Sequence, residues 1–350
     1  MRKVFVGLSG GVDSGVSAAL LKERGFDVVG AFIKIWQPEF IECTWREDRL
    51  DAMRVAAALG IPFREIDLSE EYKKEVVDSM VADYKRGSTP NPDVLCNRSI
   101  KFGHFLRWAL TEGADYIATG HYANVHYERL TKSFILRRGK DTAKDQSYFL
   151  YRLGQKDLSH TLFPVGELTK PEVRAQARRF GLPVAAKPDS QGLCFVGDVS
   201  MRDFLARFIK VEAGAVVDAQ GNEIGRHEGA ALYTIGQRHG FTVHDSSAEH
   251  APYFVIEVDV SRNRVKVSHE RANATRKTIR VEDMHWIGGM PRLPFAAEAQ
   301  ARYRETPVKV NVSGEGTSVV VDFSEPHIAA RGQSLVIYDG ERCLGGGAIQ

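Results

Sequence analysis

Several things are scarce in this chain, and each scarcity excludes a class of protein. No apolar stretch reaches membrane-spanning length: VVGAFIKIW is broken by Lys34, and Met-Arg-Lys at the N-terminus leads straight into VFVG and not into a signal-peptide core. The expectation is a soluble, cytoplasmic protein with no membrane partner. Only four cysteines occur in 350 residues, and Cys43, Cys96, Cys194 and Cys343 are far apart. There is no CxxC pair and no Cys/His cluster at zinc spacing, so no metal site is expected and the cysteines read as thiols, not structural disulfides. An excess of charge is missing too: 47 basic against 45 acidic residues leave +2, which does not announce a nucleic-acid partner. Neither GxxxxGK[ST] nor GxGxxG is present, which removes the γ-phosphate P-loop and the dinucleotide fingerprint.

What remains is the composition of a folded protein, 43% hydrophobic and 26% charged, long enough for two or three domains. In the first half, apolar runs alternate with helical patterns: VFVGL then SGVSAALLKERG, FDVVGAFIKI then EDRLDAMRVAAALG, IPFREIDL then EEYKKEVVDSMVADYKRG, with ADYIATGHY as a further strand. That alternation predicts a parallel sheet covered on both faces, with ligands at the carboxyl ends of its strands. From about residue 208 the pattern turns to short β-like runs (GAVVDAQGNEIG, YFVIEVDV, RVKVS, VKVNV, SVVVDF, SLVIYDG) separated by Gly, Asn, Asp and Pro. The expected division is an α/β domain over 1–207, a small β-rich domain over 208–273 and a further β domain over 274–350. Residues 258 to 280 hold seven Lys/Arg against two Asp/Glu, a basic stretch that suits either phosphates or a solvated β surface.

At the end of the first apolar run stands GLSGGVDSG, residues 7 to 15, a glycine-rich turn between strand and helix with no lysine in it. Such a turn offers unpaired backbone N–H groups and the positive end of a helix dipole, so it holds an anion without side-chain charge. SGGVDS resembles the PP-loop of ATP pyrophosphatases, which cleave ATP between the α- and β-phosphates. The resemblance implies that Ser9, Gly10, Gly11, Asp13 and Ser14 line the departing pyrophosphate, with Gly7, Leu8 and Val12 completing the nucleotide loop. It also implies Mg²⁺ near Asp13, and Ile33 and Gly120 beside adenine and ribose.

Cys96 follows a loop stiffened by Pro90 and Pro92, in GSTPNPDVLCNRSIKF, and begins a helical pattern. A cysteine at a helix N-terminus has a depressed pKa; Arg98 and Lys101 add to that effect and Asp93 opposes it. Cys194 sits in KPDSQGLCFVGD, while Cys43 and Cys343 read as an ordinary loop and a terminal strand.

Taken together, SGGVDS, NPDVLCNRSIKFG, TGHYA, KDQSYFLY, FPVGELTKPEVR, DSQGLCFVGD, GRHEGAALYTIGQRHG, RYRETP and CLGGGAI run in order through nearly the whole chain. The chain resembles the bacterial tRNA-specific 2-thiouridylases, which replace the C2 oxygen of the wobble uridine with sulfur. The resemblance implies an adenine-nucleotide α-hydrolase-like (PP-loop) domain, a small central domain and a C-terminal β-barrel. It departs from the family at Arg331, which precedes Gly332 where proline is frequent, and this bears on the local turn. By resemblance, ATP adenylates the uridine oxygen near Asn91, Pro92 and Asp93, and Asp93 is the candidate acid/base. Cys194 carries a persulfide from a sulfur-relay protein, and Cys96 either resolves it or releases hydrogen sulfide. His121, Lys144, Asp145, Gln146, Arg302, Tyr303 and Gln333 are implied tRNA contacts. Three rivals stay open: a PP-loop ligase or amidotransferase that adenylates another substrate, a non-catalytic tRNA-binding protein, and an iron–sulfur route through Cys96, Cys194 and Cys43 or Asp93, which the lack of CxxC disfavours.

Overall fold

The computed structural model describes residues 1–41, 45–189, 199–244 and 251–350. Its first sheet is built from β1 (Lys3–Gly7), β2 (Asp27–Lys34), β3 (Phe63–Asp67), β4 (Tyr116–Ala118) and, further along the chain, Thr161–Leu162. All pairings are parallel, and the spatial order is β3-β2-β1-β4 followed by Thr161–Leu162. The central strands β1 and β2 read as near-continuous apolar runs because both faces are covered, whereas β3 at the edge carries the exposed Arg64, Glu65 and Asp67. Val4, Val6, Val28 and Phe32 face one core, while Phe5, Val29, Ala31 and Ile117 face the other. The chain winds outward from β1 to β3 and then returns to the far side of β1. That reversal leaves a crevice between the carboxyl ends of β1 and β4.

Helix α1 (Val12–Glu23) follows β1, and α2 (Trp45–Leu59) lies between β2 and β3. After β3 comes a helical run of α3 (Ser69–Tyr72), a π-helical Lys73–Asp78 and α4 (Ser79–Lys85). A second run joins α5 (Pro92–Leu95), a π-helical Cys96–Phe105 and α6 (Leu106–Thr111). No helix among the described residues is long and apolar enough to cross a membrane.

After β4 the chain forms the antiparallel hairpin of β5 (Ala123–Glu128) and β6 (Ser133–Arg138), which the sequence does not announce. Thr161–Leu162 is β7, α7 is Gln155–Ser159, α8 is Lys170–Arg179 and α9 is Met201–Ala206. The middle of the chain folds into a five-stranded sheet of β8 (Gly214–Val217), β9 (Glu223–His227), β10 (Thr242–Val243), β11 (Phe254–Asp259) and β12 (Arg264–Ser268). The last six strands are β13 (Arg276–Trp286), β14 (Phe295–Gln300), β15 (Val308–Glu315), β16 (Ser318–His327), β17 (Ser334–Asp339) and β18 (Arg342–Ile349). They close into an antiparallel barrel through the β13–β18 pairing, and closure removes exposed sheet edges.

The hairpin adds to that barrel, where β6 pairs with β18 through Arg137 and Leu136. Arg138 anchors it: its guanidinium lies 3.6 Å from the Tyr338 ring centroid and donates to Asp145 at 3.1 Å and Gln300 at 3.3 Å. One apolar core accordingly runs from Phe5 through Tyr148 and Tyr151 to Val336, Tyr338 and Cys343, so part of the first 207 residues is packed as one with the barrel. Cys343 is about 1% exposed and burial pushes its thiol well up, which suits a core residue.

Candidate active site

The glycine turn and the Thr119–His121 segment meet at the crevice between β1 and β4. Gly10 has φ +72, and a Cβ there would run into the backbone of Asp48. Gly11 caps α1 without a side-chain bond, and the first N–H groups of a helix have no intrahelical acceptor. Ser14 Oγ stiffens the turn: it accepts from the Ser9 N–H and donates to the Gly11 carbonyl, each at 3.2 Å.

Cations missing from the loop arrive from far along the chain. Lys170 Nζ lies 2.7 and 2.9 Å from the Asp13 carboxylate oxygens and 2.9 Å from Asp189. Asp189 also takes Lys144 and Arg174, each at 2.7 Å, and Lys187 bridges Asp48 and Asp51 at 2.8 Å. Tyr122 donates to Asp13 at 2.9 Å. Sequence reasoning missed Lys170 and Lys187. A signal for Lys170 existed: TKPEVR starts α8, whose Thr169 and Glu172 form a capping box, and the first position of a helix disfavours a cation unless carboxylates face it.

Burial alone would raise the Asp189 carboxyl, but hydrogen bonds from Lys144 and Lys170 outweigh it and hold it at about 2, below its ordinary 3.8. The folded-state value is the depressed one, so this stabilisation, which solvent screening reduces to about 1 kcal/mol, is complete above about pH 4 and lost as the pH falls towards 2. Asp189→Asn is expected to cost that amount in urea unfolding at pH 7 and markedly less at pH 3. Equal losses at both pH values would remove the charge network as the cause.

Two adjoining cavities open over this frame. One, about 360 Å³, is lined on its apolar side by Leu8, Phe32, Ile33, Ile35, Trp45 and Ile100, and at its polar end by Ser9, Ser14 and Gly120. A flat apolar slot beside an anion loop suits a nucleotide, with the base in the slot and phosphates on the loop. The other, about 580 Å³, is polar and reaches from Gly11, Val12 and Asp13 past Lys170 and Lys144 to Asp93, Phe149, Tyr303 and Arg304. Ser9, Asp13, Asp48, Lys101, His121 and Gln146 line both.

Cys96 lines the nucleotide cavity and is about 8% exposed. It does not open its helix. Asn91 is the N-cap, accepting from the Val94 N–H at 3.4 Å, Pro92 is the first helical residue, and Cys96 comes one turn later. Asp93 is exposed to the polar cleft while protein crowds its other sides. That crowding pushes its carboxyl up, Lys101 pulls it part of the way back, and its open side limits the rise. The loop before the helix is held from two other sheets. Gln333 Nε2 donates to the Thr89 and Pro90 carbonyls at 2.8 and 3.2 Å, and Thr89 Oγ1 and Thr234 Oγ1 are 2.9 Å apart. Despite Arg331, the turn before β17 is made: Gln333 N–H donates to Ala330 at 3.1 Å, and the Arg331 carbonyl accepts from Thr89.

The other anticipated residues divide. His121 shares a 2.7 Å hydrogen bond with Thr119 through Nδ1, and burial, aided by Lys101, drives its pKa well down, so it is neutral. Lys144, Gln146 and Tyr303 face the polar cleft, and the Tyr303 ring packs on Phe149 at 4.4 Å. Asp145 departs from the expectation of a tRNA contact. Its carboxylate is buried and accepts from Gly139 N–H, Ser147 N–H and Oγ, and Arg138, so its side chain shapes the loop that presents its neighbours. Arg302 is turned towards the five-stranded sheet, donating to the Ile235 carbonyl at 3.2 Å, and Gln333 is occupied with the loop. In the basic stretch, Lys266 pairs with Glu257 and Arg262 with Asp259. Cys194 and Cys43 lie outside the described residues. Among those described, no three His, Cys, Asp or Glu side chains group as a metal site.

An anion loop without its own lysine, set at the switch point of a 3-2-1-4 sheet and facing an apolar slot, defines a nucleotide-binding α/β protein of the PP-loop kind. Three family models match in succession: a tRNA methyl transferase HUP domain over residues 2–198, a tRNA methyl transferase PRC-barrel domain over 202–269 and an aminomethyltransferase beta-barrel domain over 276–349. The tRNA-specific 2-thiouridylase MnmA of Paracidovorax citrulli (strain AAC00-1) is 45% identical, covering 99% of this chain and 96% of that protein. Its namesake from Streptococcus sanguinis (strain SK36) is 44% identical over 99% and 95%. A 4-thiouridine synthetase solved with RNA and bound ATP is 19% identical, with a TM-score of 0.36, over 59% of this chain and 50% of that one. The chain belongs to the tRNA-specific 2-thiouridylase family.

Proposed function

We propose that this protein uses ATP to adenylate the C2 oxygen of a wobble uridine in tRNA and then replaces that oxygen with sulfur. The observation that carries the reading is that Cys96 lines the same nucleotide cavity as Ser9, Asp13 and Ser14 of the anion loop. A PP-loop ligase that delivers nitrogen has no use for a thiol there.

The pyrophosphate of ATP rests on the N–H groups at the start of α1, beside Lys170, whose charge Asp13 and Asp189 balance. Mg²⁺ fits this frame: it is usually held by one or two carboxylates together with substrate phosphates, and Asp13 supplies a carboxylate beside the loop. When bound, it neutralises charge on the leaving group. The uridine, flipped out of the anticodon loop, enters the polar cleft, where Tyr303 offers a stacking face and Lys144, Gln146 and Arg304 offer polar contacts. Asp93 stands at this cleft, with Asn91 and Pro92 shaping its helix start, and takes the N3 proton as the C2 oxygen attacks.

Sulfur arrives as a persulfide on Cys194 from a donor protein. Its terminal sulfur attacks C2, and AMP leaves with the former oxygen. Cys96 thiolate then attacks the Cys194 sulfur, which leaves 2-thiouridine and a Cys96–Cys194 disulfide for an external thiol to reduce. This route needs two thiols and no third ligand, which is why we prefer it to an iron–sulfur centre. The test is mass spectrometry of nucleosides after incubation with ATP, Mg²⁺, tRNA and a persulfide donor. 2-Thiouridine is expected with AMP and pyrophosphate as co-products; formation of ADP, or a uridine that stays oxygenated, would overturn the reading.

A further inference from the structure

Among the described residues two cations of the polar cleft stand outside the ion-pair network: Arg304, which lies over the Tyr303 ring, and Lys101, which also lines the nucleotide cavity. Lys101 lies five residues after Cys96 on the π-helical Cys96–Phe105 segment. In an α-helix, positions five apart point about 140° from each other, whereas π-helical hydrogen bonding links residues five apart and brings them towards one face. Cys96 and Lys101 accordingly line the same nucleotide cavity. Of the two, only Lys101 also lines the polar cleft, so it stands at the junction of the two spaces.

The other cleft lysines are neutralised: Lys144 by Asp189, Lys170 by Asp13 and Asp189, and Lys187 by Asp48 and Asp51. Among the described residues no carboxylate pairs with Lys101. Its charge is felt instead by Asp93 and His121, both of whose pKa values it lowers. His121, neutral through burial, adds no competing cation. A partly buried ammonium with a carboxylate nearby but none in ion-pair contact is left with charge that an anionic ligand can satisfy. The pyrophosphate belongs at the start of α1 and the base beside Asp93, so the group that falls between them is the α-phosphate.

We propose that Lys101 is a catalytic residue of the adenylation step, its ammonium contacting the non-bridging oxygens of the ATP α-phosphate as the uridine attacks. The assignment rests on the function proposed above. In that step the bond from the uridine C2 oxygen to the α-phosphorus forms. The bond from that phosphorus to the bridging oxygen breaks, pyrophosphate leaves with the electron pair, and the N3 proton passes to Asp93. Lys101 keeps its proton throughout and offsets charge that builds on the α-phosphoryl oxygens.

The test is single-turnover pyrophosphate release with full-length protein, ATP and tRNA, alongside calorimetric ATP binding. Lys101→Gln is expected to slow release by about 100-fold or more while ATP affinity changes by less than about fivefold, and Lys101→Arg to recover part of the rate. Release from Lys101→Gln within about threefold of the unaltered protein would overturn the assignment and leave the proposed function standing. Absence of release from the unaltered protein would overturn both. A measurement that needs no variant uses amine acylation read by mass spectrometry: AMP should protect Lys101, whereas adenosine, which lacks the phosphate, should not. Equal protection by the two would also overturn it.

Discussion

Replacing Gly120 with alanine is expected to lower tRNA-dependent pyrophosphate release by at least about 100-fold, the scale of loss that follows an ångström-level misplacement of reacting groups. Gly120 passes directly beneath the start of α1. A Cβ there would lie 2.7 Å from the Ser14 backbone nitrogen, 2.8 Å from the Asp13 carbonyl carbon and 2.9 Å from the Asp13 Cβ. None of these atoms is the free end of a flexible side chain, so relief requires β4 and the anion loop to part. The N–H groups that hold the pyrophosphate, and Asp13 with its Lys170 partner, would then move together. Gly154→Ala is the control, because Gly154 lines neither cavity and its Cβ would meet only the Asp157 carboxylate at 3.6 Å. It should retain activity within about threefold and bind ATP normally, since a Cβ in open contact distance costs little. Gly120→Ala with more than about a tenth of normal pyrophosphate release would contradict this account of the loop.

The second large effect separates the two halves of the reaction. Cys96→Ser should abolish 2-thiouridine formation from a persulfide donor, by about 100-fold or more, because a hydroxyl is a far weaker nucleophile towards sulfur than a thiolate. Pyrophosphate release on the same tRNA should persist, since no phosphoryl oxygen depends on that thiol. The substitution is nearly isosteric at a buried position, so the helix should hold, at a cost of about 1–3 kcal/mol for burying the hydroxyl. Adding free sulfide refines the outcome. Rescue would assign Cys96 to releasing sulfide from the carrier, and no rescue would assign it to resolving the persulfide. Normal thiolation by Cys96→Ser with the persulfide donor would remove the thiol from the mechanism.

Much of this site was legible in one dimension. A phosphate-holding turn is a local object: a strand, glycines able to take φ > 0 and a helix start suffice, and all are contiguous in GLSGGVDSG. The parallel sheet was equally readable from β1 and β2, because strands buried on both faces need near-unbroken apolar runs. Helix position was less so, since the N-terminal location expected for Cys96 shifted by one turn once Asn91 and Pro92 took the capping roles. The β5–β6 hairpin escaped for a different reason. Its alternation is ordinary, and only the pairing with β18 and the stacking of Arg138 on Tyr338 make it part of the barrel.

Local order along the chain by itself determined the nucleotide loop, the strands that deliver it and the thiol-bearing helix, because each depends on residues within a few positions of one another. Tertiary structure alone decided which charges share the cleft. Lys170 meets Asp13 across 157 residues, Gln333 reaches Thr89 across 244, and Asp145, adjacent to two cleft residues in sequence, turns its carboxylate inward. Ion pairs and hydrogen bonds act over a few ångströms of space whatever the separation along the chain, so sequence spacing carries no record of them until the sheets and barrel have closed.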